Sequence, residues 1–164
     1  MQWKLTPVTA PEQIKTVALL AGEIWRQHYG PILPCGQVDY MVARFQSEDA
    51  VREQLAGGTV YLLAEWEGKP VGYCAYHPEE DRMFLSKIYL LQSARGNGLA
   101  RRMLGAVEQS AREHGLTIVY LTVNKGNAGS IAAYEKMGFR TVRSAATPIG
   151  GGYVMDDYIM EKAL

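Results

Sequence analysis

Arg95-Gly96-Asn97-Gly98-Leu99-Ala100 joins a mostly apolar stretch, Arg82 to Leu91, to an amphipathic one, Gly98 to His114. The first stretch reads as a long central strand. The second carries Leu99, Met103, Leu104, Val107 and Ala111 as an apolar stripe, with Arg101, Arg102, Glu108, Gln109, Arg112 and Glu113 over the rest. That is a helix laid on a core, stopped by Gly115. A helix start leaves backbone N–H groups unpaired, and its dipole favours negative charge. Glycines let the backbone approach a ligand closely. The junction makes an anion cradle, and Arg95, Arg101 and Arg102 would add charge where a pyrophosphate would sit. The loop alone also reads as a tight turn with no ligand. A P-loop is excluded, because Gly-Leu-Ala stands where Gly-Lys-Ser/Thr is needed. A dinucleotide fingerprint is excluded too: its third glycine position is Arg101, and the next strand, Ile118 to Val123, carries no acidic residue.

Upstream of the loop, Gln2 to Thr6 alternates as a short strand. Pro11 opens a helix that Gly30-Pro31 ends, with Ile14, Val17, Ala18, Ala21, Ile24, Trp25 and His28 at helical spacing. Gln37 to Phe45 is a second helix, and Ser47 caps a third, Asp49 to Leu55. Thr59 to Glu65 and Val71 to Tyr76 form a hairpin about Gly68-Lys69. Glu79-Glu80-Asp81 is the turn before the central strand. Downstream, Ile118 to Val123 is an apolar interior strand, Asn127 caps a helix running to Met137 and ended by Gly138, and Phe139 to Ser144 and Tyr153 to Met160 are the last strands. The fold class is mixed α/β, with one right-handed βαβ unit from the Arg82 strand to the Ile118 strand.

The 164 residues suffice for one domain with a sizeable core. Lys plus Arg balances Asp plus Glu at 17 each, so no general field draws nucleic acid or an anionic membrane, and any anion site is local. Cys35 and Cys74 lie in no metal-ligand spacing and read as buried small apolar residues; no metal is expected. The chain shows no signal-peptide pattern and no stretch near the ~18 apolar residues of a membrane span, which sets the expected location as the cytoplasm.

The loop sits in telling company. Arg95-x-x-Gly98-x-Ala100 resembles the (Q/R)xxGx(G/A) signature of the GNAT acetyltransferase superfamily, and Leu85-Ser-Lys-Ile-Tyr-Leu90 before it is similar to that family's fourth strand. Leu121-Thr-Val-Asn124, then Asn127-Ala-Gly-Ser-Ile-Ala-Ala-Tyr134-Glu-Lys-Met-Gly138-Phe139, resembles its second signature. Residues 60 to 140 carry the match. Trp25-Arg-Gln-His-Tyr29, Leu85-Ser-Lys-Ile-Tyr89 and Met155-Asp-Asp-Tyr-Ile-Met-Glu-Lys162 are softer similarities to PaiA-like bacterial polyamine acetyltransferases.

The resemblance implies a six- to seven-stranded mixed sheet splayed between its fourth and fifth strands, in a single domain spanning 1–164. It implies acetyl-CoA, or coenzyme A, as co-substrate, its pantetheine arm lying along Ile88, Tyr89 and Leu90. Arg95, Gly96, Asn97, Gly98, Leu99, Ala100 and Arg101 would then hold the pyrophosphate, Asn127 would contact the cofactor amides, and Lys136 would reach the phosphates. Tyr134 reads by its spacing as a core aromatic, and by the resemblance as the general acid for the leaving thiolate. His28, Tyr29 and Tyr40 are candidates for an amine pocket.

The base stays open among His77, Glu80, Asp81, Asp156 and Asp157, or a water chain; Lys87 qualifies only if desolvation lowers its pKa. The expected partner is a small-molecule amine, a polyamine if the acids at 39, 48, 80, 156 and 157 converge, with a homodimer left open. Two other functions stand beside this one: acetylation of protein N-termini, and a non-catalytic acetyl-CoA-binding module.

Overall fold

The protein is described here as a computed structural model covering residues 2–34 and 36–164. Cys35 therefore lies outside the described residues. The chain begins with β1 (Trp3–Pro7) and three helices, α1 (Pro11–Tyr29), α2 (Gln37–Phe45) and α3 (Glu48–Ala56). Three strands follow, β2 (Val60–Trp66), β3 (Lys69–Pro78) and β4 (Met83–Leu90). A single 3-10 turn, Gln92–Ala94, leads into the glycine loop and α4 (Leu99–Glu113); β5 (Ile118–Asn124), α5 (Ala128–Lys136), β6 (Arg140–Gly150) and β7 (Tyr153–Ala163) complete the chain.

The strands form one seven-stranded sheet in the order β1-β2-β3-β4-β5-β7-β6. Only β4 and β5 run parallel, joined through α4, as a parallel pair requires a long crossover. Two apolar clusters cover the two faces. Leu99, Met103, Leu104, Val107 and Ala111 of α4 pack one face with Met83, Leu85, Val119 and Leu121. Ile14, Val17, Ile24 and Trp25 of α1, with Met41 and Val51, pack the other, over Tyr61, Leu63 and Tyr73. Cys74 is fully buried, and desolvation pushes its thiol up to about 12, so it behaves as the small apolar residue expected.

Two irregularities at the sheet's centre matter most. First, β4 pairs with β5 only at Met83–Val119 and Phe84–Tyr120, after which the strands part. The sheet therefore opens into a gap beside Leu85 to Leu90. Second, the β3–β4 register slips between Ala75 and Tyr76: Ala75 faces Lys87 and Tyr76 faces Leu85, leaving Ser86 as an extra residue. Such a bulge turns two successive side chains to one face. Ser86 and Lys87 both point to the α1–α3 side as a result, whereas strict alternation would send Lys87 under α4.

The last hairpin is longer than its sequence suggests. Phe139 to Ser144 was the expected extent of β6; the strand runs on to Gly150, paired with β7. Ala145 to Pro148 carries little strand propensity. It is held because β6 is the sheet edge, where Pro148 has no second neighbour to offer an N–H to.

Candidate active site

The glycine loop leaves the middle of the sheet and enters α4 with no side-chain cap. By contrast, Ser47 caps α3 by accepting from Ala50 N–H, and Asn127 caps α5 by accepting from Ser130 N–H. The first helical bond of α4 is Arg102 N–H to Gly98 O at 3.2 Å, so the amides of Leu99, Ala100 and Arg101 have no partner inside the helix. Gly96 and Gly98 adopt φ values of 84° and 76°, the left-handed region, and a Cβ on either would meet no atom within 4 Å. The loop is thus an uncapped helix start open on its outer side, with positive dipole and room for an anion.

This start opens onto a cleft of about 380 Å³ on the α4 side of the sheet. One wall is the gap edge of β4: Ile88, Tyr89 and Leu90. The loop contributes Arg95, Gly96, Gly98, Leu99 and Ala100. The opposite wall is α5, through Gly129, Ser130, Ala133, Tyr134 and Met137. On β4 the backbone groups divide. Leu91 N–H bonds Val71 O at 2.8 Å, and the Tyr89 carbonyl lies against Gly72 of β3. Alternation then turns the N–H and C=O of Ile88 and Leu90 to the gap, where Arg95 donates to Leu90 O at 3.4 Å. Tyr89 lends the cleft its side chain rather than its backbone.

A second cavity, of about 340 Å³, lies on the α1–α3 side. Trp25, Tyr29, Phe45, Phe84 and Tyr89 give it aromatic walls; Gln46, His77, Lys87, Asn124 and Asp157 are among its polar groups. Tyr89 lines both spaces, so the two meet at the gap. Burial lifts the Asp157 carboxyl to about 6, with its neighbour Asp156 adding to the shift and Lys125 opposing it. Burial also brings the Lys87 ammonium down to about 7. The Tyr134 hydroxyl is raised, first by desolvation and then by Tyr29, with Arg95 opposing.

Of the residues singled out in the sequence, His28 and Tyr134 line the cleft and Tyr29 lines the second cavity. His28 and Tyr29 are adjacent on α1, so they face different spaces. Asn127 is buried; it caps α5 and donates to the Tyr29 hydroxyl at 3.4 Å. Asn97 donates to Ala94 O at 3.3 Å within the loop, and the Arg101 side chain donates to Lys136 O at 3.5 Å on the exposed rim, so the side chains of Asn97, Arg101 and Lys136 lie outside the cleft wall. Tyr40 stands apart from both spaces, donating to Ile149 O at 2.9 Å beneath the β6–β7 turn.

Of the five acids at 39, 48, 80, 156 and 157, only Asp157 reaches the second cavity; Asp39 pairs with Arg26 and Asp156 with Lys125 at the surface. The sequence reading missed Gly129 and Ala133. Their small side chains recur four residues apart on one face of α5, a spacing that marks a surface others approach closely. Among the described residues no group of three or more His, Cys, Asp or Glu is placed to hold a metal ion, and no helix is long and apolar enough to cross a membrane.

The family model described as "Acetyltransferase (GNAT) family" matches residues 23–139. An N-acetyltransferase of Escherichia coli, YjgM, is 32 % identical over 107 residues, covering 63 % of this chain and 64 % of that protein. One of Mycobacterium tuberculosis is 34 % identical over 104 residues, covering 63 % of this chain and 66 % of its own length. The chain thus spans just under two thirds of the length of these curated relatives. In fold it is similar to the PaiA N-acetyltransferase from Thermoplasma acidophilum, solved in complex with coenzyme A: the TM-score is 0.83 at 20 % identity, with 100 % of both chains covered. With a matching family model over most of its length and the splayed mixed sheet to go with it, the chain belongs to the GNAT acetyltransferase family.

Proposed function

We propose that this protein is an acetyl-CoA-dependent N-acetyltransferase that acylates a small-molecule primary amine in a ternary complex. The observation that carries this reading is the uncapped start of α4, opening on a cleft that meets a second cavity at Tyr89. The amides of Leu99, Ala100 and Arg101 hold the pyrophosphate, aided by Arg95. Ile88 and Leu90 pair their gap-facing backbone groups with the pantetheine arm as a missing strand would. The small face of α5 leaves room for that arm.

The acceptor enters from the second cavity. Asp157, with a carboxyl near 6, takes the proton that the amine must lose. The amine nitrogen forms a bond to the thioester carbon as the C–S bond breaks, and the Tyr134 hydroxyl gives its proton to the departing sulfur. An N–H at the gap edge, that of Ile88 or Leu90, supports the thioester oxygen as charge gathers there, a contribution of ~3–4 kcal/mol. Asp157 and Tyr134 then exchange protons with water and return to their starting states.

Acetylation of a protein N-terminus is a second reading. It calls for an open groove, in which an extended chain would lie against Trp25, Phe45 and Phe84. A polyamine acceptor calls for converging acids, of which only Asp157 is present in the cavity. Calorimetric titration with CoA, followed by CoA-release assays with simple amines, amino acids, spermidine and a short peptide, tests these readings. CoA binding with turnover on a small amine is expected. Binding without turnover on any acceptor would identify an acetyl-CoA sensor instead, and no binding would remove the donor altogether.

A further inference from the structure

Lys87 is an unusual side chain for an amine-binding cavity. It is 6 % exposed, and its Nζ donates to Phe45 O at 2.6 Å, to Gln54 Oε1 at 2.9 Å and to the Tyr61 hydroxyl. All three acceptors are neutral. Among the described residues no carboxylate comes within ion-pair distance of it, although other Lys and Arg side chains make seven such pairs. A buried ammonium without a counter-ion is costly, so the charged form of this side chain is favoured when an anion is bound beside it. The bulge at Ser86 is what turns Lys87 to this side of the sheet; without it the strand would carry the side chain under α4.

A second donor stands on the same wall. Gln46 is buried and its carboxamide oxygen accepts from the Tyr73 hydroxyl at 2.8 Å. That bond fixes the amide with its NH2 group left over, and this group makes no hydrogen bond to any described residue. Gln46 and Lys87 both line the second cavity. The one acid of the cavity, Asp157, comes from β7, on the other side of the gap from β4. The cavity is therefore two-ended: Lys87 and an amide donor on the β4 side, a carboxylate on the β7 side, and aromatic rings in its walls.

We propose that the acceptor is an amine that also bears a carboxylate, of the class of amino acids with an apolar or aromatic body. The inference rests on the acetyltransferase reading above and sharpens it. The amine lies toward Asp157 and the gap. The substrate carboxylate accepts from the Gln46 amide, and Lys87 is its counter-ion. The body packs against Trp25, Phe45 and Phe84. A polyamine is disfavoured by the same geometry, since a distal ammonium would meet Lys87 as a like charge out of water.

The test is a set of matched acceptors assayed by CoA release with the full chain: L-phenylalanine and L-methionine, their carboxamides, and spermidine. The acids should exceed their amides in kcat/KM by roughly 30-fold or more, the usual penalty for losing one partner of a buried charge pair. Spermidine should be the poorest of the set. In Lys87→Met, checked for folding by thermal melt, the acid-to-amide ratio should fall toward one. Equal rates for acids and amides in the natural protein, or a preference for spermidine, would overturn the carboxylate anchor while leaving an acetyltransferase. Acetyl-CoA binding with no release for any acceptor, the amides and spermidine included, would overturn the acetyltransferase reading and this inference with it.

Discussion

Asn127 holds Tyr29 across the join between the two cavities: its Nδ2 donates to the tyrosine hydroxyl at 3.4 Å while its Oδ1 accepts from Ser130 N–H at 3.2 Å. One amide thus starts α5, a wall of the cleft, and fixes a side chain of the second cavity on α1. Asn127→Ala should lower stability by about 1 kcal/mol through loss of the cap, or roughly 2–4 °C in Tm for a domain of this size. Asn127→Ser keeps a capping oxygen and should recover most of that loss in thermal melts. A serine variant no more stable than the alanine one would assign the effect to the Tyr29 contact instead.

Gly98→Asp should weaken CoA binding by at least about tenfold in a calorimetric titration, because it sets a carboxylate where backbone donors worth about 1.5–3 kcal/mol each would meet phosphate oxygens. A side chain there has open space, so the fold should survive, with about 1 kcal/mol of strain from the left-handed backbone. Undiminished affinity in a folded variant would dissociate the loop from the cofactor.

Tyr134→Phe should reduce kcat by about 10²-fold or more, the range of a lost general acid, with little change in CoA affinity. The ring sits edge-on to Phe139, and phenylalanine preserves that contact. Full activity would return Tyr134 to a packing role.

Asp157 sets a pH dependence. Its active form as a base is the carboxylate, so kcat/KM should fall as pH drops through about 6. Asp157→Asn should be much slower and should lack this acid limb. Comparing the two profiles with one acceptor removes the titration of the amine itself. An unchanged limb in the variant would assign the base to another group.

Lys87 should leave a mark on stability. Its pKa is lowered from 10.5 to about 7 by desolvation. Between those values the unfolded chain holds the proton that the folded one has released, so stability rises with pH, by at most about 1.4 kcal/mol per unit. Thermal melts from pH 7 to 9 should show this rise in the natural protein and lose it in Lys87→Met. The raised carboxyl of Asp157 acts in a lower window, about 4 to 6, and with opposite sign: its contribution falls as pH increases. Parallel curves for the two proteins would mean that Lys87 keeps its proton in the fold.

The glycine loop, its flanking strand and helix, and the Asn127 cap were legible because each is a local signal: periodicity, a turn residue, a capping residue. The side chains of the second cavity were not. Lys87 appears on a strand where alternation assigns it to the α4 side, and only the register slip against Ala75 reveals otherwise. Such a slip depends on two strands at once and leaves no trace in either alone. Tyr40 was grouped with His28 and Tyr29 because all three come from the first two helices, yet the β6–β7 turn, over a hundred residues on, claims its hydroxyl. The four acids that stay outside the cavity were likewise read by type, when their position relative to the sheet decides what they do.

The early parting of β4 from β5, after only two paired positions, gives the sheet a slot. On the reading above, the two co-substrates come to this slot from opposite faces and touch only where Tyr89 borders both. Neither needs to pass through the other's doorway to arrive or to depart. Such a layout imposes no compulsory sequence of arrival, and it lets an acylated product leave while the spent carrier is still seated.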